Sequence, residues 1–146
     1  MSLSTPVAFL IFNRPDLTQI VFEAIAKAEP KQLFVVADGP RSPAEVEKCA
    51  QAKDIIGRVD WECEVFTNYS DKNLGCGRRV SSGIEWVFSE VEEAIFLEDD
   101  TLPDPSFFPY CESLLERYRY DERIMTINGN SFQLGSRRTE YSYHFT

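Results

Sequence analysis

The chain alternates short unbroken apolar runs with longer stretches in which apolar residues recur every three or four positions. Val7-Ala8-Phe9-Leu10-Ile11-Phe12 is the first run, bounded by Pro6 and Asn13. A run that is apolar at every position predicts a strand buried on both faces, as in a parallel sheet covered by helices. After the turn Asn13-Arg14-Pro15, residues Leu17, Ile20, Val21, Ala24, Ile25 and Ala28 fall at helical spacing, and Pro30 ends the pattern. Leu33-Phe34-Val35-Val36-Ala37 predicts a second buried strand, ending at Asp38-Gly39-Pro40. Ser42 and Glu45 form a capping-box pattern around Pro43, which predicts a helix running to about Ile56 with Gly57 as its stop.

Glu62–Thr67 alternates, with Cys63 and Val65 on one face and Glu62, Glu64 and Phe66 on the other. That pattern predicts a less buried strand at a sheet edge. A polar loop, Asn68–Gly77, follows, then a helix carrying Val80, Ile84, Val87 and Phe88. Ala94–Leu97 predicts a fourth strand. Asp104 and Pro105 suit a helix start, and Phe107, Phe108, Cys111, Leu114, Leu115 and Tyr118 form its apolar stripe. Arg123–Phe132 predicts a fifth strand, and Tyr141, Tyr143 and Phe145 alternate like the beginning of another. Strands and helices in strict alternation predict one α/β domain over residues 1–146, with three α/β/α layers, a mostly parallel Rossmann-like sheet and right-handed crossovers. In such sheets ligands bind beyond the C-terminal ends of the strands. The residues to inspect are therefore Asn13 and Arg14, Asp38 and Gly39, Asn68 to Gly75, and Glu98 to Asp100.

Charge and composition narrow the partners. A net charge of −9 over 146 residues argues against nonspecific nucleic-acid binding. It also requires local help for any anionic ligand, from a metal, helix N-termini or a few placed arginines. No apolar stretch is long enough to span a bilayer, and no export signal is visible. The four cysteines, Cys49, Cys63, Cys76 and Cys111, contain no C-x-x-C pair, so a zinc site is not expected. Reduced thiols in a cytoplasmic protein are the default. The single histidine, His144, makes histidine-based triads poor candidates.

The densest candidate chemistry is Glu98-Asp99-Asp100, three acids at the end of the fourth strand. Adjacent carboxylates repel and need a compensating partner, and a hard divalent cation takes oxygen ligands. The alternative is a solvated acidic turn. A phospho-receiver or aspartate-nucleophile phosphatase needs an acid directly after the first strand, where this chain has Asn13-Arg14. No P-loop and no G-x-G-x-x-G dinucleotide fingerprint occurs, nor does the glycine-rich basic loop of a sugar-phosphate nucleotidyltransferase.

These motifs together resemble the nucleotide-binding, N-terminal half of a GT-A fold glycosyltransferase, a nucleotide-diphospho-sugar transferase. Glu98-Asp99-Asp100 is similar to that fold's acidic D-x-D motif in the E-D-D form of the N-acetylglucosaminyltransferase I type. Val7–Pro15 resembles the opening strand and turn, and Val35–Pro40 the second strand with its terminal acid. Asn73-Leu74-Gly75 with Gly83-Ile84 resembles the N-x-G…G-I element of family 2 enzymes. That family often has Ala-Arg-Asn before the G-I pair, where this chain has Val80-Ser81-Ser82, with Arg78 and Arg79 displaced toward the glycines. The resemblance implies Mn²⁺ or Mg²⁺ on Asp100, and Glu98 and Asp99 at the ribose or metal-bound waters. It also implies donor contacts from Asn13, Arg14, Asp38, Asn73 and Arg79. The ligand would be a nucleoside-diphosphate sugar, for surface polysaccharide or glycoconjugate synthesis, with a saccharide acceptor in a longer parent protein.

Each residue also has a plainer role. Asp38 before Gly-Pro suits a turn, Asn73-Leu74-Gly75 a loop with a glycine at positive φ, and Arg78 and Arg79 a solvated helix start. Asn13 and Arg14 suit the turn before Pro15. A GT-A enzyme also needs a C-terminal acceptor half with a catalytic base, and no such base is assigned here. The expectation is thus an incomplete fold, active in transfer only within a longer parent and prone to form a homodimer over its uncovered apolar surface. The competing reading is a noncatalytic α/β binding or assembly module.

Overall fold

A computed structural model describes residues 2–129. Its elements are β1 (Val7–Ile11), α1 (Pro15–Ala28), β2 (Gln32–Ala37), α2 (Val46–Ile56), β3 (Glu64–Tyr69), α3 (Cys76–Glu90), β4 (Ile95–Glu98) and α4 (Phe107–Tyr118). The four strands form one all-parallel sheet in the order β3-β2-β1-β4. This is the expected α/β architecture with helices on both faces of the sheet. No helix among the described residues is long and apolar enough to cross a membrane.

Alternate strand residues build two cores. Val7, Phe9 and Ile11 join Leu33, Val35, Ile95 and Leu97 under α1, α2 and α4, whose Val21, Phe22, Ile25, Ala52, Ile55, Phe108 and Cys111 pack there. The other face carries Ala8, Phe34 and Val36 beneath Val87 of α3, with Trp86, Phe66 and Phe96 at the margin. Phe34 stacks on Phe66 at 4.7 Å and meets Trp86 edge-on at 5.5 Å. Burial on both faces explains why β1 and β2 are apolar at every position.

The ends of elements depart most from the sequence pattern. Thr18 and Phe22 are buried in α1 while Ile20 is exposed, so its buried face is turned from the expected stripe. Thr18 fits because its hydroxyl donates to the Arg14 carbonyl at 2.8 Å. The capping box does not form. Ser42 makes no side-chain cap, Pro43–Glu45 is a 3-10 turn, and Glu45 reaches back to the Arg41 amide instead. β3 lies at the sheet edge as expected, but begins at Glu64. Phe66 and Asn68 are its half-buried residues and Val65 is exposed, since Phe66 is the one that stacks on the Phe34 ring. α4 begins at Phe107, because Asp104 holds Ser106 in a turn through its amide and hydroxyl. Phe88 of α3 is half exposed. The expected fifth strand is not formed over residues 123–129, which carry no strand pairing. Its remainder, and the alternation at Tyr141, Tyr143 and Phe145, lie outside the described residues.

Candidate functional site

The strand order places β1 between β2 and β4, so the chain reverses its direction of travel across the sheet between β1 and β4. This is the switch point where open α/β sheets bind ligands. The residues just beyond it are Asn13 and Arg14 after β1, and Asp99 and Asp100 after β4.

Arg14 joins the two strand ends. Its Nη2 lies 2.5 Å from Oδ1 of Asp99, and its Nη1 lies 3.0 Å from Oδ2 of Asp100. Asp99 is buried, with its side chain 4% exposed, whereas the Arg14 and Asp100 side chains are each 44% exposed. The second carboxylate oxygen of Asp99, Oδ2, is buried and has no hydrogen-bond partner among the described residues. Burial pushes the Asp99 carboxyl up, and this outweighs the opposing pull of Arg14. Burial alone would lower the Arg14 guanidinium, but Asp99 and Asp100 reverse the effect and hold it above its ordinary value. Glu98, the last residue of β4, is exposed, because successive strand residues face opposite ways. The three acids therefore do not converge. Among the described residues no three His, Cys, Asp or Glu side chains gather as a ready metal cage.

Asp38, beyond β2, is buried and bonded on both oxygens. Oδ1 accepts from the amides of Gly39 and Leu74, each at 2.9 Å. Oδ2 accepts from the Gly75 amide and from Nδ2 of Asn73, each at 3.1 Å. Asn73 also donates to the Gly39 carbonyl at 2.9 Å. Asp38 thus ties the loop before α3 to the end of β2, and sets its charge at the positive end of that helix. Gly39 lets the loop come this close. A Cβ there would sit 2.6 Å from the backbone carbon of Lys72. Gly75 adopts φ +81°, the conformation that precedes α3.

Arg79 and Arg78 divide sharply. Arg78 is exposed, while Arg79 is 6% exposed. Its Nε donates to the Ala37 carbonyl at 3.1 Å, and its Nη2 to the Asn68 carbonyl and, at 2.9 Å, to Asn68 Oδ1. Burial lowers this guanidinium and Asp38 partly compensates. Arg79 therefore fastens the ends of β2 and β3 together, and is not the solvated helix-start residue of the plainer reading.

Asn13 donates to Glu45 Oε1 at 2.9 Å. Arg41 binds the same carboxylate and lies over the Phe12 ring, 5.3 Å from its centroid. The sequence reading did not place Phe12, Arg41 or Glu45 at the site. Asn68, included there by its position after a predicted strand, is the partner of Arg79. Glu45 was absorbed by the capping pattern.

A wide hollow of about 230 Å³ lies elsewhere, between Glu92 and Glu93 ahead of β4, the C-terminal part of α4, and Ile124 to Ile127. It sits at the opposite end of β4 from Asp99 and Asp100 and takes no part in the site. No protein-family model matches the chain, and no curated protein matches it. The site must therefore be judged on its own chemistry.

Proposed function

We propose that the chain is the donor-binding half of a metal-dependent glycosyltransferase of GT-A type, holding a nucleoside-diphosphate sugar beyond the C-terminal ends of β1, β2 and β4. One observation carries this reading. Arg14, Asp99 and Asp100 meet at the switch point, giving one cation and two carboxylates where the fold class places ligands.

The donor set fits Mn²⁺ or Mg²⁺ only in a particular way. Asp100 is the accessible carboxylate, and Asp99 keeps a buried oxygen with no partner among the described residues. Two carboxylates do not make a protein cage, but they suit a hard cation that shares its coordination with phosphate oxygens and water. Asp100 would hold the ion, and Asp99 would orient Arg14. Bound there, such an ion supplies charge neutralisation for the leaving diphosphate. Arg14, half exposed beside Asp100, would meet the same phosphates, and Asn13 would stand on the β1 side, held by Glu45.

The roles of Asp38, Asn73 and Arg79 are more limited. Their polar atoms hold the loop before α3 and the ends of β2 and β3, so they shape the nucleoside side of the site. These internal bonds also favour the second reading, a noncatalytic α/β binding module that keeps the fold. The saccharide acceptor, the catalytic base, and any role in surface polysaccharide or glycoconjugate synthesis belong to a longer parent in this proposal.

The deciding experiment is calorimetric titration of the chain with UDP, GDP and CDP, with Mn²⁺ and with chelator. Binding of one nucleotide only with Mn²⁺, and its loss in Asp100→Ala, supports the donor reading. Absence of binding by all three, or equal binding with chelator, overturns it.

A further inference from the structure

We infer that β3 is the docking strand of a two-fold symmetric dimer, in which the β3 edges of two copies pair antiparallel and join their sheets into one. The inference stands apart from the donor reading. β2 separates β3 from Arg14, Asp99 and Asp100, which lie beyond the ends of β1 and β4.

The edge is open and regular. β3 ends the sheet, and no strand among the described residues pairs with its outer side. Its register with β2 runs unbroken from Glu64 to Tyr69, so no bulge twists the edge away. Proteins blunt a free edge with lysine, proline, a bulge or a very short strand. β3 contains no lysine or proline, and its only charge, Glu64, stands at its first position. The other edge strand, β4, follows the usual rule better, with four residues against six and an exposed acid at its end.

The backbone sets the register. The Glu64 amide donates to the Lys31 carbonyl at 2.8 Å and the Ser70 amide to the Ala37 carbonyl at 3.0 Å, both on the β2 side. Backbone groups alternate along a strand, so those of Val65, Thr67 and Tyr69 point outward. The side chains of these three are also exposed. A two-fold axis at Thr67, perpendicular to the sheet, sets Thr67 against its counterpart and Val65 against Tyr69 of the second copy. Every outward donor of the three then meets an acceptor. Thr–Thr pairs and pairs of a β-branched with an aromatic residue stabilise antiparallel strands, and symmetry repeats the Val65–Tyr69 pair. Charge agrees with this pairing. The start of one β3 lies beside the end of the other, so exposed Glu62 and Glu64 approach two lysines, exposed Lys72 and Lys53, which sits 4.9 Å from the centroid of the Tyr69 ring. Asp71 stands at that end as well, with the two lysines to offset it. Within the strands no acid opposes another, so a chain of net charge −9 can meet itself here.

Sedimentation velocity of the full chain should show a concentration-dependent dimer. Thr67→Lys sets like charges against each other at the two-fold axis and should weaken that dimer at least about tenfold. Circular dichroism should show the fold kept, because Thr67 is exposed. Thr67→Cys, once oxidised, should cross-link to its counterpart through position 67, as mapped by peptide mass, since directly opposed strand residues lie within disulfide distance. Val65→Cys should not cross-link to its counterpart, because the register sets position 65 against position 69. In hydrogen exchange, the amides of Val65, Thr67 and Tyr69 should gain protection as the dimer forms. A chain that stays monomeric throughout, or a dimer that Thr67→Lys leaves intact, overturns the inference. Protection of these amides already in the monomer would mean that another segment holds the edge, and overturns it as well.

Discussion

Oδ1 of Asn68 accepts a hydrogen bond at 2.9 Å from Nη2 of Arg79, a residue only 6% exposed to solvent. Asn68 belongs to β3 and Arg79 to the first turns of α3, so the bond joins a strand to the helix that follows it. The same guanidinium reaches the carbonyl of Ala37, which also accepts from the Ser70 amide at 3.0 Å. Two strand ends and one helix therefore share a single buried cation.

Removing that cation should be costly. Arg79→Ala leaves the carbonyl and side-chain oxygens of Asn68 without this donor and opens a void beside β2. Hydrogen bonds to charged groups contribute about 1.5–3 kcal/mol each, and the losses here overlap, so a decrease of about 2–4 kcal/mol is expected in urea unfolding. Arg78→Ala, one position earlier and exposed, should stay within about 0.5 kcal/mol. Equal effects at the two positions would contradict the buried clamp.

Asp38→Asn tests the other tie at this edge. The carboxylate accepts four hydrogen bonds, from Gly39, Leu74, Gly75 and Asn73. An amide retains one acceptor oxygen and turns N–H groups toward N–H groups. A stability loss of about 1–3 kcal/mol should follow, together with faster hydrogen exchange at the Leu74 and Gly75 amides. Unchanged exchange at both amides would mean that the loop is held by something else.

Why some of this was legible and some was not follows from the type of signal. Runs such as Val7–Phe12 and Leu33–Ala37 are apolar because both faces of β1 and β2 are covered, and that local pattern reports a global fact. The strand ends then follow, and with them Arg14, Asp38 and Asp99 as residues of one edge. Burial of a charged residue leaves no such trace. Arg79 and Arg78 are the same residue type side by side, and only the tertiary path of β2 and β3 separates the buried one from the solvated one. The three acids of the triplet are likewise separated only by the fold. Glu98 ends β4 exposed, while Asp99 lies buried in the turn that follows it. The pairing of Arg14 with Asp99 spans 85 positions and needs the β1–β4 register to be seen.

Close backbone packing gives a third test. A Cβ at Gly83 would lie 2.7 Å from Cγ1 of Val36, so α3 cannot keep its distance from β2 with any larger residue there. Gly83→Ala should cost about 1–3 kcal/mol through overpacking, despite the better helix propensity of alanine. Adding Val36→Ala removes the clashing methyls, and the double variant should be more stable than the sum of the two single losses. Strict additivity would place the strain somewhere other than this contact.

Glu45 sets the sign of an acid-dependent contribution. Its Oε1 accepts from Asn13 at 2.9 Å and its Oε2 from the Arg41 amide at 2.9 Å, and the Arg41 side chain grips both oxygens. The Arg41 hydrogen bonds hold this carboxyl at about 2, below its ordinary value of 4.5. A depressed folded value means that the contribution is fully present above the unfolded value and is lost as pH falls from about 4.5 toward about 2. Asp121, held at about 2 by Arg123, works in the same direction. Asp104 and Glu112 are also held low by hydrogen bonds from Ser106 and Ser4, so the global acid limb mixes several groups and a residue-resolved readout is needed. Carboxyl carbon NMR should find Glu45 titrating near 2, and Arg41→Ala should return it toward 4.5. In the wild type, protonation should also release Asn13, seen as a shift of its side-chain amide with the same midpoint. A Glu45 that titrates near 4.5 in the wild type would show that the tie between the β1 end and the turn before α2 does not hold in solution.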